Sequence, residues 1–105
     1  MTVNSASKIY LVTSTTQGRA KLVTAEGNDI RYIGTGAQDS ISVLKMQSVI
    51  AEEINSQESA EAALKYLEAQ RSHYLTMSSH AKNCKYIAQE IIQEIEYLRK
   101  IKNWD

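Results

Sequence analysis

The order of apolar and polar side chains divides the chain into two parts that meet near residue 38. In the first part, β-branched and aromatic residues occur in short runs, which is typical of strands. Turn-forming residues separate three such runs, at residues 8–14, 19–24 and 30–33. The pattern therefore predicts a three-stranded antiparallel β-meander over residues 8–34.

Side chains alternate between the two faces of a strand, so each predicted strand should present one apolar face. The predicted core face consists of Ile9, Leu11, Ala20, Leu22, Ile30 and Tyr32. The other face holds Lys8, Tyr10, Val12, Arg19, Lys21, Val23, Arg31 and Ile33. Because three strands cannot cover their own core face, helices are expected to pack on it.

After residue 38, apolar residues recur at the spacing of a helix, and this part of the chain contains neither glycine nor proline. Asp39 or Ser40 is suited to cap a short helix, predicted over residues 39–54, whose apolar stripe comprises Val43, Met46, Ile50 and Ile54. A second helical segment is predicted over residues 57–103. Its apolar positions recur every 3.5 residues on average, which is the spacing of a coiled coil.

Two arrangements of residues 57–103 agree with this spacing. In the favoured one, a single long or gently bent helix passes through residues 76–80, where no glycine or proline breaks it. One copy of such a helix cannot bury its own stripe, so this arrangement predicts a homodimer or a higher oligomer. In the alternative, the chain turns back near residues 76–80 and buries the stripe within a monomer.

Composition excludes several classes of protein. The 12 basic and 12 acidic side chains cancel, which argues against a dedicated nucleic-acid binder or a polybasic membrane anchor. A chain of 105 residues is one domain by size, and no apolar run is long enough to cross a bilayer. The single cysteine cannot form an intramolecular disulfide, so the sequence predicts a cytoplasmic protein with no membrane partner.

Residues that carry out catalysis or bind metals are few. His80 and Cys84 stand one helical turn apart, a spacing that can hold a metal, but two ligands make only half of a tetrahedral site. Cys84 also falls on the apolar stripe, where a free cysteine usually packs as a small hydrophobic side chain. The sequence therefore predicts no metal, no cofactor and no enzymatic activity.

Binding residues are predicted on two surfaces. Tyr10, Lys21 and Arg31 on the outer sheet face combine an aromatic ring with positive charge. That combination suits phosphates and stacked bases, and it also suits a contact with another protein. Tyr86 and Tyr97 are eleven residues apart on the last helical segment, predicted to lie away from its apolar stripe, and tyrosine is common at interfaces.

These observations predict an α+β protein that binds another protein as an adaptor, inhibitor or regulator. Short neutral chains without catalytic residues are frequent among accessory proteins of phages and mobile elements that act on a host protein, and this is the expected setting. The alternative is an oligomeric protein that binds a small ligand, a nucleotide or a nucleic acid through the basic outer sheet face.

Overall fold

Short β-branched runs form strands in the first half of the chain, and both α-helices lie in the stretch after Gly36 that contains neither glycine nor proline. The computed structural model describes residues 7–14, 18–79, 81–101 and 104. Its strands are β1 (Ser7–Ser14), β2 (Lys21–Glu26), β3 (Asp29–Tyr32), β4 (Gln38–Ser40) and β5 (Val49–Glu53). A 3-10 helix, Ile41–Lys45, precedes β5, and two α-helices follow it, α1 (Gln57–Met77) and α2 (Lys82–Lys100). The fold is therefore α+β.

The strands of the predicted meander are present, but they form the centre of a larger antiparallel sheet. Its strand order is β4-β3-β2-β1-β5, so the prediction of a sheet with only three strands is wrong. The tight turns use Gly27 and Gly36, whose φ angles of 60° and 77° are in the left-handed region that glycine adopts without strain. β4 then pairs with β3, and β5 pairs with the free edge of β1.

The helix predicted over residues 39–54 is also wrong. Only the five residues Ile41–Lys45 are helical, and strands lie on both sides of them. β-branched Val49 and Ile50 pair with Ser14 and Thr13 in the ladder between β5 and β1. Completing the hydrogen bonds of the β1 edge outweighs the weak helical spacing of the apolar residues in this segment.

The sheet has two buried faces, and β3 is turned over relative to its prediction. Cross-strand pairing puts Leu11 opposite Leu22, on the face against which α1 and α2 pack, here called the helix face. Ile30 and Tyr32 pair with Ala25 and Val23 on the other face, here called the outer face. The prediction that Ile30 and Tyr32 share a face with Ile9 is therefore wrong, because a shift of one residue reverses every side chain of a strand.

The outer face is covered by the segment between β4 and β5. These strands lie at opposite edges of the sheet, so the chain that joins them crosses it. Val43 and Met46 of this segment line a cavity of about 200 Å³ together with Val12 and Tyr32. Strand residues of the outer face are consequently buried: Val12, Val23, Ala25 and Ile30.

Residues 57–100 form a helical hairpin instead of one continuous helix. α1 ends at Met77, α2 begins at Lys82, and the two helices pack against each other. The Ser78 hydroxyl donates to the Leu75 carbonyl at 2.7 Å, which satisfies an acceptor at the helix end without a further turn. The favoured continuous helix is therefore wrong.

The hairpin also changes the argument for an oligomer. It buries the apolar stripe within one chain, at Ala63 and Leu67 of α1 and at Ile91, Ile95 and Leu98 of α2. The stripe thus no longer requires a second copy. A homodimer or higher oligomer stays a prediction, without the physical reason that the continuous helix supplied.

A buried ion pair joins the sheet to α2. Arg19 and Glu94 are only 4% and 1% exposed, and Nη1 of Arg19 donates to Oε1 of Glu94 at 2.8 Å. The other carboxylate oxygen of Glu94 accepts the backbone N–H of Leu22 at 3.0 Å. Close by, Gly34 approaches α2 so tightly that a Cβ there would lie 2.9 Å from Cβ of Glu90. These contacts fix the helices on the sheet.

Candidate functional site

An open groove, here called the β5–α1 groove, lies between the helix face of the sheet and the first turns of α1. Its volume is about 510 Å³, within the range of ligand-binding clefts. Apolar and aromatic side chains line it: Leu11, Ala20, Ile54, Ala62, Ala63 and Tyr66. A second open cavity of about 500 Å³ lies between α1 and α2 and is lined by Glu68, Arg71, Ser72, Ile92, Ile95, Glu96 and Arg99.

Hydrogen bonds fix both ends of the β5–α1 groove. Ser56 and Ser59 form a capping box, in which the Ser59 N–H donates to the Ser56 hydroxyl at 3.1 Å and the Ser56 N–H donates to the Ser59 hydroxyl at 3.0 Å. Farther along α1, the Tyr66 hydroxyl accepts the N–H of Ala20 at 2.7 Å. The helix therefore starts at a defined place and keeps a fixed position over the sheet.

The rim of the groove is acidic. Glu52 and Glu58 line it with Thr13, Ser56 and Ser59, and Glu53 borders it with a side chain that points to the outer face. Among the described residues, the lining contains no lysine, arginine or histidine. Within the described residues, the salt bridges join Arg19 to Glu90 and Glu94, and Arg99 to Glu68. Glu52 and Glu58 thus form no ion pair with the other described residues and give the groove a negative potential.

These carboxylates are not arranged to hold a metal ion. Glu52 and Glu53 are successive strand residues, so their side chains point to opposite faces of the sheet. Across the described ranges, no three histidine, cysteine, aspartate or glutamate side chains converge on one point. Cys84 is buried, and His80 lies outside the described residues, so the His80 and Cys84 pair is not tested.

The structure brings two of the three predicted binding residues of the sheet onto one face and separates the third from them. Tyr10 and Lys21 lie on the outer face, where Nζ of Lys21 is 5.8 Å from the centroid of the Tyr32 ring. Arg31 pairs with Thr24 and lies on the helix face. Arg19, which the sequence placed beside them, is buried against Glu94. The continuous basic surface expected on the outer face is therefore absent from the described residues.

The two predicted tyrosines of the last helix have different environments. Tyr86 is 63% exposed. Tyr97 packs against the hydrophobic core, and burial raises the pKa of its hydroxyl. The prediction that both lie away from the apolar stripe is wrong for Tyr97, because a partner helix in a hairpin covers a wider face than one seam.

Sequence reasoning missed the β5–α1 groove. The helix predicted over residues 39–54 includes Glu52 and Glu53, and two neighbouring glutamates at the end of a helix do not indicate a binding site. Had residues 49–53 been recognised as a strand, the exposed Ile50 beside two glutamates would have indicated an unusual edge. Finding the groove therefore required knowing that residues 49–53 form a strand, since the identity of these residues alone does not indicate it.

The chain matches no protein-family model, no curated protein and no solved structure. Neither α-helix in the described ranges has an apolar stretch of the length that a bilayer requires. A functional inference for this protein therefore depends on the geometry of its own residues.

Proposed function

We propose that the protein is a non-enzymatic binding protein that holds a segment of another polypeptide in the β5–α1 groove. It would act on that partner as an adaptor, an inhibitor or a regulator. The observation that carries the proposal is the groove itself, which has an apolar floor and two rim glutamates, Glu52 and Glu58, that form no ion pair with the other described residues.

A polypeptide fits this surface better than a small molecule because the apolar surface continues beyond the groove. Ile50 lies on the same face as Thr13, a residue of the groove lining, and is 59% exposed. Met46, which belongs to the segment that covers the outer face, is a second exposed apolar side chain near this edge, at 52%. Large exposed apolar side chains beside an edge strand are typical of surfaces that bind other proteins.

The same arrangement gives little support to nucleotide or nucleic-acid binding. Phosphate groups require clustered positive charge, whereas the β5–α1 groove carries glutamates. On the sheet, Lys21 and Arg31 lie on opposite faces. Binding to another protein is therefore the function that the geometry favours.

Site-specific photo-crosslinking tests this proposal. A photoreactive amino acid is placed at Ala62, an exposed position in the groove, and for comparison at Gln93, an exposed position on α2 outside the groove lining. In cells of the natural host, the Ala62 variant should give a defined adduct with one polypeptide and the Gln93 variant should not. Identical adducts from both positions, or none from Ala62, would refute the proposal.

A further inference from the structure

One edge of β5 is open. β5 pairs with β1 on one side, and no other described strand pairs with it. The N–H of Ile54 donates to the Ile9 carbonyl at 2.8 Å, so backbone groups at Ile54, Glu52 and Ile50 are directed toward β1. By alternation, the N–H and C=O groups of Ala51 and Glu53 are directed away from β1. This edge is suited to accept an added strand.

The β5–α1 groove lies beside this open edge. Residues of an added strand alternate between the helix face and the outer face, as those of β5 do. A side chain on the helix face would lie next to Glu52 and would have to reach across β5 toward Ala62 and Tyr66. Neighbouring strands are about 4.8 Å apart, so only a long side chain spans this distance.

We infer that the segment held by the groove is an extended basic strand that pairs with the open edge of β5 and directs a lysine or arginine between Glu52 and Glu58. This inference rests on the proposed function, since it specifies the chemistry of the segment that the groove binds. The apolar stem of a lysine or arginine packs on the floor of the groove while its charged head meets the carboxylates.

Glu53 extends the requirement to a second basic residue. Its side chain lies on the outer face, opposite Tyr10 in the ladder, while that of Glu52 lies on the helix face. The residue next to the first lysine or arginine points to the outer face and lies near Glu53. The bound segment should therefore contain two adjacent basic residues within about five residues, the length of β5.

Binding of a defined peptide to the full chain tests the inference. The probe is a six-residue peptide with two adjacent lysines between valine and threonine residues, and its control has glutamates in place of the lysines. In a nuclear magnetic resonance titration, the lysine peptide should bind and should protect the amides of Ala51 and Glu53 from hydrogen exchange. Equal binding of the two peptides, or binding without protection of these amides, would overturn the inference.

Two sets of variants separate the charge effect from the pairing of the strands. Glu52→Lys should weaken binding about tenfold or more, whereas Glu26→Lys, a matched reversal at an exposed strand end outside the groove, should change it by less than about twofold. Two further peptides carry N-methyl groups on either the odd-numbered or the even-numbered residues. Only the peptide whose methylated nitrogens face β5 should lose binding. Equal effects of the two glutamate reversals, or equal effects of the two methylation patterns, would contradict strand addition.

The outcome is distinguishable from failure of the proposed function. A partner that crosslinks at Ala62 through a segment without adjacent basic residues overturns this inference and leaves the proposed function intact. Light scattering on the free chain tests whether a second copy of this chain occupies the groove. Self-association that is lost in the Glu52→Lys variant would identify a second copy of this chain as the occupant and would overturn the inference.

Discussion

Two regions of the molecule differ in how their carboxylates are satisfied. One is the buried ion pair between Arg19 and Glu94, and the other is the acidic rim of the β5–α1 groove. Glu94 is 1% exposed and accepts hydrogen bonds from Arg19 and from the N–H of Leu22. Glu52, by contrast, is exposed and forms no ion pair with the other described residues. A buried charge needs its partners within the fold, whereas a solvated one is stable alone and stays available to another molecule.

The largest effect on stability is expected from breaking the buried ion pair. Arg19→Met removes the cation and leaves the Glu94 carboxylate buried with the Leu22 N–H as its remaining donor among those described. Removing one member of a buried ion pair costs about 3–5 kcal/mol. Urea unfolding followed by circular dichroism should show a loss of this size in the free energy of unfolding.

Arg31→Met is the matched control for this variant. Arg31 is exposed and lies in a strand of the same sheet. Removing its charge should change the free energy of unfolding by less than about 0.5 kcal/mol. Equal losses from the two arginine variants would show that the Arg19 pair contributes no more to stability than a surface charge.

A smaller effect on stability is expected from the titration of Glu94. Burial raises the pKa of Glu94 above its ordinary value of 4.5, and the hydrogen bonds from Arg19 and Leu22 offset that rise only in part. The folded protein therefore holds this proton more tightly than the unfolded chain does. The resulting stabilisation is complete below pH 4.5 and is lost as the pH rises through the pKa of the folded protein.

The Glu94→Gln variant isolates this titration, since glutamine does not ionise. The free energy of unfolding is measured for both proteins between pH 4 and pH 8, a range set to include the ordinary carboxyl pKa. The stability of the wild type should fall relative to that of the glutamine variant as the pH rises. A difference that moves the other way would mean that Arg19 outweighs the burial of Glu94.

The same comparison explains which parts of the fold the sequence predicts. Strands β1 to β3 and the helical character after residue 57 follow from local patterns, because turn residues and helix formers act over a few positions. Strand β5 does not follow, since Val49 and Ile50 become a strand only when β1 is beside them. The end of α1 at Met77 and the start of α2 at Lys82 depend likewise on packing of α1 against α2, which no local signal contains.

The candidate site was harder to predict for the same reason. Its lining comes from β1, the residue before β2, β5 and α1, so it exists only after these elements have assembled. Arg19 and Glu94 are 75 residues apart, and nothing local distinguishes this buried pair from the solvated charges around it. Long-range pairing therefore decides which charges belong to the fold and which belong to the groove.

The smallest effects on stability are expected in the groove. Glu52→Gln should change the free energy of unfolding by less than about 0.5 kcal/mol, because this carboxylate is solvated and has no ion pair among the described residues. Glu58→Gln should cost slightly more, about 0.3–1 kcal/mol, because Glu58 lies in the first turn of α1, where the helix dipole favours negative charge. Urea unfolding at low salt measures both. A loss from Glu52→Gln as large as that from Arg19→Met would reveal a partner within the chain and would remove the distinction between the two sets of charges.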